Sequence, residues 1–126
     1  MKHSLIILIS FLLLSSPVIG EETGVLYWWY DGKKVVWKTF GDDDVNGKYK
    51  GEIKNGKPEG FGIILHTHGL KYVGMWKNGK YHGYGEMRNG ENVRKGEFKE
   101  GVQWNTKWYF KGKQTGEFVN GKHIQY

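Results

Sequence analysis

The chain has 126 residues, enough for one domain, and its 38% hydrophobic and 25% charged content, with 19 Lys and Arg against 13 Asp and Glu, excludes a disordered chain. Glycine is abundant at 20 residues and 16% of side chains are aromatic, while Ala is absent; glycine inside a helix costs about 1 kcal/mol relative to alanine, which argues against helices and places the glycines in turns and strands. The absence of Cys excludes disulfides, Cys-ligated zinc and an N-terminal lipidated cysteine.

In chain order, residues 1–20 come first. Lys2 precedes the apolar run Leu5-Ile6-Ile7-Leu8-Ile9 and Phe11-Leu12-Leu13-Leu14, which ends in Ser15-Ser16-Pro17-Val18-Ile19-Gly20 before Glu21-Glu22. A charged start, a short apolar stretch and small residues before a cut form a secretory signal peptide, with cleavage expected after Gly20 and a periplasmic or extracellular product. The alternative is an uncleaved membrane anchor, but a span needs about 20 apolar residues and this run is shorter and broken by Ser and Pro. All four serines (Ser4, Ser10, Ser15 and Ser16) lie in this leader, so the mature chain has neither a Ser nor a Cys nucleophile.

Residues 21–46 read as an N-terminal capping hairpin and an acidic linker, with six acids against three lysines. Tyr27-Trp28-Trp29-Tyr30, Asp31-Gly32 and Val35-Val36-Trp37 give a divergent hairpin over 24–41 that covers the unit after it. Asp42-Asp43-Asp44-Val45-Asn46-Gly47 then matches the opening of a calcium loop, with Asp42, Asp44 and Asn46 as candidate ligands. The match fails at its twelfth position, Ile53, with the carboxylate of Glu52 one residue early. A polar loop linking cap to array is therefore the preferred reading.

Residues 47–126 are built from one repeated unit and carry fifteen basic against seven acidic side chains. Tyr49-Lys50-Gly51-Glu52-Ile53-Lys54-Asn55-Gly56-Lys57 returns as Tyr72-Val73-Gly74-Met75-Trp76-Lys77-Asn78-Gly79-Lys80. It recurs as Lys95-Gly96-Glu97-Phe98-Lys99-Glu100-Gly101 and as Thr115-Gly116-Glu117-Phe118-Val119-Asn120-Gly121-Lys122. Gly60-Phe61-Gly62 and Gly83-Tyr84-Gly85 follow the first two turns at the same spacing. Tyr72, Gly74 and Trp76 alternate with Val73, Met75 and Lys77, the period of a strand, and Asn-Gly supplies the positive φ of a tight hairpin. The array divides into 49–71, 72–94, a degenerate 95–114 and a partial 115–126. A lone hairpin is not stable, so the copies must stack.

These residues resemble the MORN repeat family, whose pattern is close to Tyr-x-Gly-x-Trp-x-Asn-Gly-Lys-x-x-Gly-x-Gly. The resemblance implies an all-β fold, a single elongated and twisted antiparallel sheet of stacked hairpins. In the third copy Asn105 and Lys107 stand where Gly-x-Gly is expected, and Trp104 and Trp108 are read as covering the end of the array. The missing side chains of Gly60-x-Gly62 and Gly83-x-Gly85 are expected to leave room for the Tyr72 and Trp76 rings, so that Gly83→Val would unstack the array.

For function, His66 and His68 share a strand face and would need a third ligand from His82, His123 or a carboxylate; hairpin-end polar residues are the preferred reading, and no metal or cofactor is expected. Glu52, Glu86, Glu97 and Glu117 fall at repeated or surface strand positions, which suits a solvated face better than a hydrolase with paired carboxylates. Lys50, Lys54, Lys77, Lys80 and Lys99 recur with the repeat, as do Lys57 and Lys122, and would form rows of positive charge. The residues that build the unit (Tyr49, Gly51, Gly56, Gly60, Gly62, Tyr72, Gly74, Trp76, Gly79, Gly83, Gly85, Gly96, Phe98 and Gly101) are structural rather than catalytic. The expectation is a non-enzymatic repeat scaffold that binds an unidentified protein or envelope component. The alternative is an anionic membrane surface, through lipid head groups, or glycans met by the basic, aromatic-rich sheet. Nucleic acid is not an expected partner of an exported chain.

Overall fold

A computed structural model describes residues 22–126, so the leader assigned to residues 1–20 lies outside the described part. The described chain forms ten strands: β1 Glu22–Tyr30, β2 Val35–Lys38, β3 Gly47–Lys54, β4 Lys57–Leu65, β5 Lys71–Lys77, β6 Lys80–Asn89, β7 Asn92–Lys99, β8 Val102–Phe110, β9 Lys113–Val119 and β10 Lys122–Gln125. All ten join one antiparallel sheet in the order β10-β9-β8-β7-β6-β5-β4-β3-β1-β2. The capping hairpin therefore extends the sheet, and it does so out of sequence. β1 lies between β2 and β3, pairing Trp28 with Gly47 on one side and with Trp37 on the other.

The Asn-Gly signals form the hairpins for a backbone reason. Asn55 and Gly56 (φ 53° and 72°) and Asn78 and Gly79 (52° and 81°) occupy the left-handed region that this turn requires. Glu100 adopts the same conformation (φ 49°) without the tolerance of Asn or Gly. A recurring contact holds it there. The Asn78-Gly79, Glu100-Gly101 and Asn120-Gly121 turns each lean on the preceding hairpin: the Gly79, Gly101 and Gly121 N–H groups donate to the carbonyls of Pro58, Tyr81 and Trp104 at 2.9, 2.8 and 2.8 Å. Beside each, a side chain accepts the neighbouring turn amide, namely Glu59 from Asn78 (2.9 Å), His82 Nδ1 from Glu100 (3.1 Å) and Asn105 from Asn120 (2.9 Å).

Strand alternation divides the side chains between two faces. The inner face carries Leu26, Tyr49, Ile53, Ile64, Tyr72, Trp76 and Phe98, all buried. Complete burial of such a side chain contributes about 1.5–3 kcal/mol, so this row is the core. Tyr49 and Tyr72 keep their hydroxyls satisfied by donating to the carbonyls of Glu52 (2.6 Å) and Met75 (2.8 Å). Their rings lie over Gly62 and Gly85, where a Cβ would come within 2.2 Å of each hydroxyl oxygen. Gly85 under Tyr72 is the ring-accommodating site expected from the repeat.

Gly83 is not such a site. Its nearest neighbour would be Met75 at 3.1 Å, and its requirement is a φ of 101° at the bulge where β6 carries extra residues opposite Met75. The third copy also differs from expectation. One residue fewer separates Gly101 from Thr106 than separates Gly79 from Gly85, so Thr106, opposite Gly96, takes the second glycine's place. Neither Asn105 nor Lys107 does. Arg94 stands there for the tyrosine, so no phenol hydroxyl opposes the Thr106 side chain.

The sheet is rolled in its first half. β2 and β5 are separated by β1, β3 and β4, yet the Trp37 ring lies 5.9 Å from Trp76 and 6.0 Å from Tyr49, edge to face with both. Trp37 thus reaches across the concave inner face as a strut. Beyond β6 no comparable cross-face contact occurs among the described residues. There the inner face is closed locally by Trp108, with the Arg94 guanidinium and the His123 ring each stacked 4.4 Å from its ring. Trp104 packs against the Asn120-Gly121 turn with the Lys99 ammonium 4.6 Å from its ring.

Candidate binding surface

On the outer face the alternation that buries Gly60, Gly62 and Ile64 turns Phe61, Ile63 and Leu65 to solvent. Phe61 is 49% and Leu65 54% exposed, and Tyr84 on β6 reaches 73%. Phe61 pairs with Met75 and Ile63 with Val73, so the row continues across β5 without a polar break. These side chains sit on a sheet held from below by the tyrosine and tryptophan core, which fixes their spacing. Exposed apolar surface of this kind, on a rigid support, is the type that marks interaction sites on protein surfaces.

Lysines border the row. Lys50 is opposite Ile63, while Lys48 and Lys71 flank Leu65 in register. Together with Asp43, His66 and Thr67 they enclose a depression of about 710 Å³. Asp43 offsets one of these charges, through a 3.4 Å ion pair with Lys48. That hydrogen bond, the Asp43 charge and the nearby Tyr27 raise the Lys48 ammonium's pKa above its ordinary value. Burial, and secondarily the His68 charge, lowers the pKa of His66, whose ring packs edge-on against Trp28 at 5.6 Å.

The five lysines singled out by the repeat do not form one row. Lys50 lies within the outer face. Lys54, Lys77 and Lys80 gather instead at the edge formed by the Asn-Gly turns, where Lys54 pairs with Lys57 and Lys77 with Lys80. Lys99 belongs to the same edge but is drawn over Trp104. Phe61, Ile63, Leu65, Tyr84, Lys48 and Lys71 were not among the sequence candidates. Their signal is the alternation Phe61-x-Ile63-x-Leu65, read on the side opposite the glycines.

Asp42, Asp44 and Asn46 come together in a tight turn in which the Asp42 and Asn46 side-chain oxygens serve the backbone. Asn46 Oδ1 accepts the Asp42 N–H at 3.0 Å and Asp42 Oδ1 accepts the Asp44 N–H at 2.8 Å, while the buried Asn46 donates from Nδ2 to the Trp28 carbonyl. This turn carries the chain over the end of β1, past the Tyr27 ring against which Gly41 is packed. His66 and His68 are 5.8 Å apart, His82 accepts the Glu100 amide and His123 stacks on Trp108. Among the described residues there is no group of three or more His, Asp or Glu placed to hold a metal ion.

The repeated carboxylates are engaged one by one. Glu52 accepts the Phe61 N–H at 2.5 Å, Glu86 pairs with Arg88 at 3.1 Å, Glu97 accepts from the Asn105 amide at 3.1 Å, and Glu117 accepts from the Tyr126 hydroxyl. Those of Glu52, Glu97 and Glu117 tie the two arms of their own hairpins, whereas Glu86 and Arg88 pair along β6. The MORN repeat family model matches residues 49–65 and 72–91, which are the first two hairpins and include the whole apolar row up to Tyr84. A search of curated proteins finds no match to the chain.

Proposed function

The chain is a MORN-repeat protein, and on that premise we propose that it is a non-enzymatic scaffold whose outer face docks a protein partner at the cell envelope. MORN repeats suit a binding role, and MORN-repeat proteins are generally binding scaffolds rather than enzymes. The observation that carries the protein-docking reading is the solvent-facing row Phe61, Ile63, Leu65 and Tyr84 on a rigid sheet, bordered by Lys48, Lys50 and Lys71. Apolar anchors at the centre with charge at the rim are the anatomy of a protein interface. The leader pattern of residues 1–20 supports an exported setting for that partner.

The test is capture from an envelope extract by the full chain and by a Phe61→Ser, Tyr84→Ser variant, with thermal melts showing that both are folded. A protein retained by the wild type at about 0.5 M salt and lost by the variant is the expected result, because apolar anchors survive screening that removes long-range charge attraction. Equal capture by both chains overturns the outer-face reading. Binding to anionic liposomes that disappears at the same salt concentration replaces it with the lipid reading.

A further inference from the structure

The inner face holds a second site. Where the rolled half of the sheet opens toward the β5–β6 turn, Trp28, Trp37, Trp76 and Tyr81 line a cleft of about 490 Å³, within the roughly 300–1,000 Å³ of small-molecule sites. Lys34, Lys57 and Lys80 stand at its rim, and no Asp or Glu is among its lining residues. No carboxylate forms an ion pair with any of the three among the described residues; Lys57 has one polar contact, to Asn78 Oδ1 at 3.4 Å. Three ammonium groups around an aromatic cleft select an anion, with the low-dielectric walls focusing their field.

The walls select its shape. Trp28 and Trp37 line the cleft with indole rings whose N–H groups have no acceptor among the described residues, the Trp37 Nε1 edge lying beside Gly79, whereas Trp76 spends its own on the Gly62 carbonyl at 3.1 Å. A flat apolar surface with a hydrogen-bond donor at its edge matches a sugar ring, which has a face of C–H groups and hydroxyls around its rim. We propose that this cleft binds an acidic saccharide, a carboxylate-bearing sugar ring stacked on Trp37 with its carboxylate held by Lys34, Lys57 and Lys80. The site lies on the face opposite the proposed protein-docking row, so either can be lost alone.

The test titrates the full chain with trigalacturonate, following tryptophan fluorescence and calorimetry, against the neutral galactose trimer and sodium laurate. The expected result is saturable binding of the acidic trimer. The neutral trimer is then at least tenfold weaker, and a Lys34→Gln, Lys80→Gln variant with an unchanged melt loses at least tenfold in affinity. Lys50→Gln, on the outer face, leaves it unchanged. Equal binding of the neutral trimer, an acidic trimer insensitive to the lysine pair, or no binding at millimolar concentration overturns the proposal. Tighter binding of laurate than of the trimer also overturns it, since the cleft is then an acyl-chain site.

Discussion

The two halves of the sheet use the same hairpin to different ends. From β1 to β6 the inner face is rolled, and among the described residues it contains every buried hydrophobic side chain of the core except Phe98. From β7 to β10 the hairpins persist, but Trp108 is held by Arg94 and His123 rather than enclosed. The difference comes from two linked changes. Tyr49 over Gly62 and Tyr72 over Gly85 give a deep, dry contact, whereas Arg94 and Thr106 occupy the corresponding positions in the third unit. The first half also has Trp37, supplied by a capping strand that reaches across to β5. A repeated strand pair thus makes a core only where its rings meet glycine and something closes the far side.

Gly85→Val gives the strongest challenge to this contrast. Its side chain would enter the space of the Tyr72 hydroxyl, and overpacking against that buried ring is expected to cost about 3 kcal/mol. Thr106→Val in the equivalent place loses one hydrogen bond to Gln103, about 1 kcal/mol. Urea denaturation compares the two, and equal losses would mean that the halves do not differ in packing. Next in size is Trp37→Ala. Removing this half-buried ring and its contacts with Tyr49 and Trp76 is expected to cost about 3 kcal/mol, the lower end for a core tryptophan, and Trp108→Ala should cost less.

The smallest effect sharpens the comparison through pH. Burial, with the nearby Glu52 carboxylate, raises the Tyr49 hydroxyl's pKa above its ordinary 10.0; burial, with Tyr81, does the same for Tyr72, and Tyr81 itself is pushed up to about 12. A hydroxyl whose folded pKa is raised contributes stability that is complete below the unfolded value and lost as pH rises beyond it. Urea midpoints should therefore hold to pH 10 and fall above it. In Tyr72→Phe the fall should be shallower, and an unchanged slope would remove Tyr72 from the account.

Much of the array was legible because hairpin formation is local. Period-two alternation and Asn-Gly turns placed the strands within a copy, and the second glycine of each pair, Gly62 and Gly85, marked where a ring approaches, whereas the first did not. The roll was not legible, because Trp37 meets Trp76 through tertiary curvature that no spacing encodes. For the same reason Lys80 was grouped with Lys50 in the rows of one basic face, although Lys50 faces outward and Lys80 borders the inner cleft. The place of β1 between β2 and β3 was equally hidden. A linker of eight residues permits the chain to return on either side of the cap, and sequence order suggests the simpler one.

The contacts from each turn to the hairpin before it set the pitch of the stack. Because Asn78-Gly79, Glu100-Gly101 and Asn120-Gly121 each grip the previous unit through one main-chain and one side-chain acceptor, the angle between successive hairpins is indexed rather than free. Length then becomes countable. A copy inserted between the second and third hairpins would find the same acceptors waiting, and the distance from the rolled mouth to the far strand would grow by one fixed step, as on a ruler.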